Sequence, residues 1–166
     1  MPLDIIQAQA KTIGLPVFMA SSSLNDYEAK FIELLIQAKQ QGAEVIITGD
    51  LGHDRITQQV GLKLGMPLWL RPHREVVEEF INLGFRSVLV TVNLKLGMTI
   101  EDLGKTLTLE YIKQLEKRGI DPCGEGGEFH TTVIDGPIFN KPIPVRKLDI
   151  VYHEEYAFLP LELDQI

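Results

Sequence analysis

The hydrophobic residues of the first half of the chain alternate between helical and strand-like spacing. Apolar positions three or four apart predict helices over 3–13, 27–41, 54–64 and 76–83. Short apolar runs predict strands over 15–20, 44–48, 67–70 and 87–92. Asn25 followed by Glu28 has the spacing of a capping pair for the second helix. Alternating strands and helices indicate an α/β layer built on a parallel sheet, in which the run 44–48 would be buried on both faces.

The pattern changes after residue 92, where turns and strands replace the regular alternation. Gly97 and Gly104 indicate turns in the stretch that follows residue 92. A helix is then predicted over 109–118. Strands are predicted over 129–135, 145–152 and 156–163. In the first of these, odd-numbered residues would share one face and even-numbered residues the other. We therefore expect an α/β domain over 1–92 and a smaller α+β subdomain over 93–166.

Composition limits the classes of protein to which the chain can belong. Its 166 residues are 45% hydrophobic and 23% charged, enough for a well-buried globular core. A net charge of −7, with no run of basic residues, argues against nucleic-acid or anionic-membrane partners. One cysteine excludes an internal disulfide framework and fits a reducing compartment. Polar residues interrupt every apolar run near the N-terminus, so we expect a cytoplasmic protein without a spanning helix.

Candidate chemistry is concentrated between residues 119 and 139, where Glu125 and Glu128 flank a Gly126-Gly127 pair. Glycines there give the backbone access to positive φ and let a ligand approach closely. A phosphate ~5 Å from each carboxylate would meet a repulsion of roughly 3 kcal/mol per charge pair at an effective dielectric of ~20. The loop is therefore interpreted as a receptor for a cation, an amine or hydrogen-bond donors. The alternative is a solvated turn that the glycines only shape.

A longer motif surrounds these residues. The run Cys-Gly-Glu-Gly-Gly-Glu-Phe-His-Thr over 123–131 is followed by Val133, Asp135-Gly136-Pro137, Phe139 and Pro142-Ile143. This motif resembles the signature of the diphthine-ammonia ligase family, a branch of the PP-loop (N-type) ATP pyrophosphatases. Further similarities of residue type, order and spacing extend the resemblance from about residue 9 to residue 143 and include Gly49-Asp50, Leu64-Gly65 and Leu103-Gly104.

The resemblance implies a fold, a reaction and a set of substrate-binding residues. The fold would be a parallel-sheet PP-loop layer, similar to the adenine nucleotide alpha hydrolases. The reaction would be an ATP-dependent amidation, in which a substrate carboxylate is adenylated, pyrophosphate leaves and ammonia attacks. In eukaryotic and archaeal members the substrate is diphthine, a modified histidine of elongation factor 2, and ATP would be accompanied by magnesium. Matching the motif assigns substrate binding to Glu125, Gly126, Gly127, Glu128, Phe129, His130, Thr131 and Asp135.

No catalytic residue and no metal ligand is assigned by the match. Gly49 and Asp50 follow a predicted strand, at the kind of edge where open α/β sheets bind ligands, and are candidates to lie near a nucleotide. Asp50 could instead cap the following helix. For His73 and Arg71 we expect a helix start and a surface charge, respectively.

One part of the family pattern is missing from the sequence. Members begin with a strand leading into a Ser-Gly-Gly-Lys-Asp-Ser loop that binds ATP phosphates, and no such run occurs here. We therefore expect a PP-loop layer without its first strands over 1–92, and a substrate-recognition subdomain over 93–166. Such a sheet must re-pair, dimerise or borrow a strand. The explanations left open are a truncated start, a split enzyme with a PP-loop-bearing partner chain, and a shortened descendant that binds ATP weakly or not at all.

Three alternatives to a ligase role remain at this stage. Cys123 and His130 could act as nucleophile and base, although a lone cysteine is more often a small buried residue. A zinc site lacks support because no Cys or His pair has ligand spacing. The chain could also be a substrate-recognition or oligomerisation module that binds without catalysing.

Overall fold

Helices and β-sheets both occur in the computed structural model, which describes residues 3–23, 25–49 and 54–164. The helices are α1 (Leu3–Ile13), α2 (Tyr27–Gln40), α3 (Asp54–Val60), α4 (His73–Asn82) and α5 (Leu109–Lys117). The strands are β1 (Val45–Ile47), β2 (Lys63–Gly65), β3 (Arg86–Asn93), β4 (Phe129–Asp135), β5 (Val145–Lys147), β6 (Val151–His153), β7 (Tyr156–Phe158) and β8 (Leu161–Leu163). Short 3-10 helices cover Leu94–Leu96 and Ile100–Asp102. The expected mixture of helix and strand is confirmed.

The chain divides into two compact units. One comprises residues 1–16 together with 72–166, and the other comprises residues 17–71. The expected division at residue 92 does not coincide with a boundary between these units. The reason is that β3, which ends at Asn93, pairs along its length with β4, so the segment before residue 92 folds with the segment after it.

A four-stranded sheet in the order β4-β3-β7-β6 forms the centre of the larger unit. Every pairing in it is antiparallel, so the expectation that 87–92 belongs to a parallel layer is wrong. Leu89 pairs with Thr131 and Thr91 with His130, which leaves Val90 as an extra residue in β3. Such a bulge bends the strand locally. The predicted strand 129–135 matches β4 residue for residue.

The main core of the larger unit lies between α4, α5 and one face of β3 and β4. Leu89, Ile112 and Leu115 are fully buried there, and Phe129 packs with them. On the other face of the sheet, Ile5 of α1 packs against Leu159 and Leu161. The helix predicted over 3–13 is confirmed, but the predicted apolar stripe of Leu3, Ile6, Ala10 and Ile13 is wrong, because the buried residues of α1 are Ile5 and Thr12.

The smaller unit contains α2, α3 and the two-stranded parallel sheet β1-β2. Its core is formed by Leu35, Ile56 and Leu62. The predicted burial of 44–48 on both faces is wrong, because Val45 and Ile47 are 46% and 64% exposed. A sheet of two strands has too few neighbours to cover both faces.

Several predicted boundaries are corrected by local geometry. The structure has no strand at 15–20 or at 67–70; β2 occupies 63–65 instead, and 66–71 forms turns in which the amide of Trp69 donates to Met66. The first residue of α2 is Tyr27 and no side chain caps it, so the capping pair is wrong. The run 145–152 splits into β5 and β6, and 156–163 splits at Pro160 into β7 and β8. A proline lacks the amide hydrogen that a continuous strand would need.

No helix within the described ranges combines the length and the apolar character required to cross a bilayer.

Candidate functional site

The Gly-rich loop between α5 and β4 is built from consecutive tight turns. After α5 ends, Gly119 adopts a φ of +74° and its amide donates to Glu116 at 2.9 Å. Asp121 then accepts hydrogen bonds from two amides, that of Cys123 to its side chain and that of Gly124 to its carbonyl, both at 3.0 Å. The left-handed residues of the loop itself are Gly124 and Gly127, with φ of +72° and +82°. Glycines are therefore required at these two turns.

Gly124 is also needed because of a close approach. A Cβ atom at this position would lie 2.9 Å from the carbonyl oxygen of Phe129 and 3.1 Å from its ring. Phe129 is only 3% exposed and belongs to the core. At the end of the loop, the Glu128 carbonyl accepts from the Asn93 amide at 2.7 Å. This hydrogen bond fixes the end of the loop beside the last residue of β3.

A cavity of about 520 Å³ opens between this loop, α4, β3 and β4. Its apolar wall includes Val77, Phe80 and Leu107, and its polar lining consists of Ser87, Cys123, Glu125, His130 and Thr131. Volumes of this size are typical of small-molecule pockets with apolar walls and a few polar groups. The cavity therefore has the size and composition of a ligand site.

The predicted substrate-binding residues are only partly brought together. Those that line the cavity are Glu125, Gly127, Phe129, His130 and Thr131. Gly126 and Glu128 do not line it, and a Cβ atom on Gly126 would lie 2.7 Å from the Glu128 Oε1. The two carboxylates therefore do not form a single acidic pair at the cavity.

Asp135 lies at the far end of β4 from the loop. A seven-residue strand spans about 20 Å between its first and last residues. Its carboxylate faces Arg86 at 3.6 Å and accepts from the amide of Gly136 at 2.9 Å. Asp135 therefore shapes the turn after β4 and does not line the cavity.

Two buried polar atoms, one at the far end of the cavity and one in the loop, have no hydrogen-bond partner among the described residues. One is the Oγ of Ser87, a fully buried residue that lines the cavity, and the other is the Oε2 of Glu128. A buried hydroxyl without a partner carries a desolvation cost of about 1–3 kcal/mol. A polar ligand in the cavity would remove that cost for Ser87. Ser87 was not predicted from the sequence, where its only signal is a lone hydroxyl at the start of an apolar strand.

Cys123 is not an activated nucleophile. Its Sγ lies 3.1 Å from the carbonyl oxygen of His73, to which the thiol donates. Burial, together with the negative charges of Asp121 and Glu125, raises the pKa of the thiol to about 11. Nucleophilic cysteines instead need a lowered pKa. The alternative that pairs Cys123 with His130 therefore loses its chemical basis.

His73 has the structural role expected for it. It is the first residue of α4, and its Nδ1 lies 2.7 Å from Asp121 Oδ2. Asp121 thus ties the Gly-rich loop to the start of α4. Among the described residues there is no cluster of three or more metal-binding side chains of the Asp, Glu, His or Cys type.

The candidates for a nucleotide-proximal position lie in the smaller unit. Gly49 is described, with no heavy atom within 4 Å of the position that a Cβ would take. Asp50 lies outside the described residues, so its expected role stays a prediction. The Gly-Gly pair at 126–127 is the one such pair in the sequence, and it lies beside Glu125, where a phosphate would be repelled. The Gly-rich loop therefore does not fit a cradle for the phosphates of ATP.

Comparison with known proteins gives one family match and several relatives. The family model described as "Diphthamide synthase C-terminal domain" matches residues 72–165. A Schizosaccharomyces pombe protein named diphthine--ammonia ligase is 33% identical over 103 residues, covering 60% of this chain and 17% of that protein. The human and Danio rerio proteins of that name are 32% identical over 112 residues and 36% identical over 97, covering 65% and 57% of this chain. This chain spans 42% and 38% of their lengths, so it corresponds to less than half of each relative.

Proposed function

Because the chain belongs to the family of the diphthamide synthase C-terminal domain, we propose that it supplies the substrate-binding part of a diphthine-ammonia ligase. The cavity at the Gly-rich loop carries this proposal. It lies wholly within residues 76–133, which fall inside the segment that the family model matches. Its lining joins an apolar wall to a carboxylate, Glu125, and to the unpartnered hydroxyl of Ser87.

The charge and the apolar lining of the cavity favour a substrate that carries a cationic group next to apolar surface. Glu125 is exposed at the cavity, where a cation ~4 Å away would gain about 1 kcal/mol in water and more at lower dielectric. The relatives are named for a reaction of diphthine with ammonia. Diphthine bears a quaternary ammonium group, and ammonia arrives as ammonium, so Glu125 is suited to either. Ser87 would donate to an acceptor oxygen of the substrate.

In the proposed reaction the nucleotide step lies outside the residues described here. A carboxylate oxygen of the substrate would attack the α-phosphorus of ATP, releasing pyrophosphate, and ammonia would then displace AMP from the acyl carbon to leave the amide. A PP-loop-bearing segment or partner chain would bind ATP and magnesium. This chain would hold the substrate and shield it from water.

A second candidate function is a recognition or oligomerisation module without ATP chemistry. The observation in its favour is that Glu125 stands beside the chain's Gly-Gly pair, which makes that pair unfit for phosphate. The two candidates differ in one measurement. Pyrophosphate release from ATP upon addition of a PP-loop-bearing partner, together with substrate and ammonia, supports the ligase; release under no condition supports the module.

The substrate-binding proposal is tested with a defined probe. A short peptide carrying trimethyllysine is titrated by calorimetry, with the isosteric uncharged norleucine-type peptide as reference. We expect saturable binding of the cationic peptide alone, weakened about three- to tenfold by Glu125→Gln, since one partly exposed charge pair is lost. Glu128→Gln should have a smaller effect because Glu128 does not line the cavity. Equal binding of both peptides, or no effect of Glu125→Gln, would contradict the proposal.

The matched control is Glu110→Gln, at the start of α5. Glu110 is exposed and does not line the cavity, so the substitution removes one negative charge without touching the site. Peptide affinity should be unchanged. A similar weakening in both variants would indicate a general effect of net charge.

A further inference from the structure

A second cavity, of about 540 Å³, lies in the larger unit and is not part of the proposed substrate site. Its walls are α1 and the segment 140–144, and Leu163 and Asp164 close one side. Apolar side chains from Ile143, Pro144 and Leu163 form much of its lining. Its size is again that of a small-ligand pocket.

Hydrogen bonds hold α1 and the segment 140–144 in fixed positions relative to each other. The Oγ1 of the buried Thr12 donates to the Lys141 carbonyl at 2.8 Å and accepts from the Lys141 amide at 3.2 Å. The Asn140 amide donates to the Thr12 carbonyl at 2.9 Å. At the other end, the Asp164 amide donates to the Pro144 carbonyl at 3.0 Å. The groove is therefore a built feature, formed before any ligand arrives.

The groove has opposite charges at its two ends. Lys11 lies in the last turn of α1 and Lys141 is bonded to the neighbouring Thr12, so the two lysines share one end. Asp4 lies in the first turn of α1 and lines a second, adjoining hollow together with Asp164, so the two aspartates share the other end. Lys11 follows Asp4 by seven positions along the helix, a rise of about 10 Å.

These four charged side chains have no ion-pair partner within the described ranges. Arg146 adjoins the acidic end, but its guanidinium is engaged with Glu162. The Asp4 carboxylate also accepts from the Ile5 amide at 2.9 Å, which leaves its charge without an ion pair. A groove with two unpaired cations at one end, two unpaired anions at the other and an apolar floor between them is complementary to a dipolar ligand. Such a ligand would carry its own charges about 10 Å apart.

We propose that this groove binds a short peptide with free termini, its amino group at Asp4 and Asp164 and its carboxylate at Lys11 and Lys141. An extended tripeptide separates its terminal charges by about 10 Å, at up to ~3.5 Å per residue. Its middle side chain would contact Ile143 and Leu163. Because both ligand and groove are close to neutral overall, long-range attraction is small and the match of spacing decides affinity.

The test uses four peptides that differ only at their ends. Ala-Leu-Ala carries both charges, its acetylated form only the carboxylate, its amidated form only the amino group, and the acetylated amide neither. Binding is followed by NMR chemical shifts of the protein. We expect a Kd of about 1 mM or tighter for the free peptide, weakening in steps as each charge is blocked, with shift changes confined to residues 4–12, 140–144 and 163–164.

Substitutions then assign each charge to its end. Lys141→Gln should weaken binding of the free and acetylated peptides about two- to fivefold and leave the amidated peptide unaffected. Asp4→Asn should show the opposite selectivity. Lys113→Gln, an exposed lysine of α5 outside the cavity, is the matched control and should change nothing.

Three outcomes would overturn the proposal. The first is no saturable shift up to ~10 mM free peptide, well above the expected Kd. The second is equal binding of all four peptides, which would indicate apolar contact alone. The third is shift changes at the Gly-rich loop instead of at α1.

Discussion

The carboxylate of Asp102 and the guanidinium of Arg118 form a two-pronged ion pair, with Nη1 to Oδ1 at 3.0 Å and Nη2 to Oδ2 at 2.7 Å. Asp102 is 1% exposed and also accepts from the Tyr111 hydroxyl at 2.8 Å. Lys105 and Thr99 complete its set of partners. The pair joins the turn-rich stretch before residue 105 to the end of α5, directly before the Gly-rich loop.

Replacing Asp102 with alanine should destabilise the protein by about 3 kcal/mol. Removing one member of a buried ion pair leaves the other uncompensated, which costs 3–5 kcal/mol, and we expect the lower end because Arg118 is 32% exposed. Urea denaturation of the whole chain, followed by far-ultraviolet circular dichroism, measures the change. Asp149→Asn, on an exposed residue, is the control. A loss below ~1 kcal/mol would show that the pair is no stronger than a surface ion pair.

Asp102 should also make stability fall in acid. Burial alone would raise the pKa of its carboxyl, but hydrogen bonds from Arg118, Thr99, Tyr111 and Lys105 outweigh burial and hold that pKa well below its usual range. Since the folded pKa is lowered, the stabilisation is complete above the unfolded pKa of about 4 and is lost as the pH falls below it. The difference in unfolding free energy between wild type and Asp102→Asn should therefore shrink from pH 7 to pH 2. A constant difference would contradict this assignment.

Gly124→Ala should cost about 2–3 kcal/mol, more than the same change at Gly119. Both glycines have positive φ, which alone costs alanine about 1 kcal/mol. Only at Gly124 would the new Cβ meet backbone, 2.9 Å from the Phe129 carbonyl; at Gly119 nothing lies within 4 Å. Denaturation midpoints of the two variants isolate the steric part. Equal losses would mean that the loop shifts freely away from Phe129.

The Cys123 thiol should react slowly with iodoacetamide near neutral pH. Its pKa of about 11 is two units above the ordinary value of 9.0, so the reactive thiolate is about 100-fold rarer than in a free thiol. Alkylation rates from pH 7 to 10 by mass spectrometry, with glutathione as reference, check this. A rate equal to that of glutathione would show that burial by α4 and the loop is transient.

Local sequence signals predicted the elements of the second half of the chain well. The helix 109–118 corresponds to α5 and the strand 129–135 to β4, because helical spacing and strict alternation are each strong over these segments. Of the Gly126-Gly127 pair that was expected to reach positive φ, only Gly127 does so, and the other left-handed glycine of the loop, Gly124, was not predicted. The least accurate predictions were the strands assigned to short apolar runs such as 15–20 and 67–70. Such runs show no alternation of apolar and polar residues, and they form strands only where a neighbouring strand is available.

Whether neighbouring strands pair in parallel or antiparallel fashion could not be predicted from the local hydrophobic pattern. An apolar run such as 87–92 suits a parallel or an antiparallel neighbour equally well, and only the path of the chain through α5 and the Gly-rich loop makes β4 antiparallel to β3. For the same reason, the motif predicted Glu125 and Glu128 as a pair, whereas the turn at Gly127 directs only Glu125 to the cavity.

By itself, the sequence determined the family and the helix and strand segments with clear periodicity, because these depend on residues close together in the chain. The tertiary structure alone decided the antiparallel sheet, the partnership of Asp102 with Arg118, the unpartnered hydroxyl of Ser87 and the polarity of the groove beside α1. Each of these joins groups that the fold brings together from distant positions, and their energies depend on distance and burial in three dimensions.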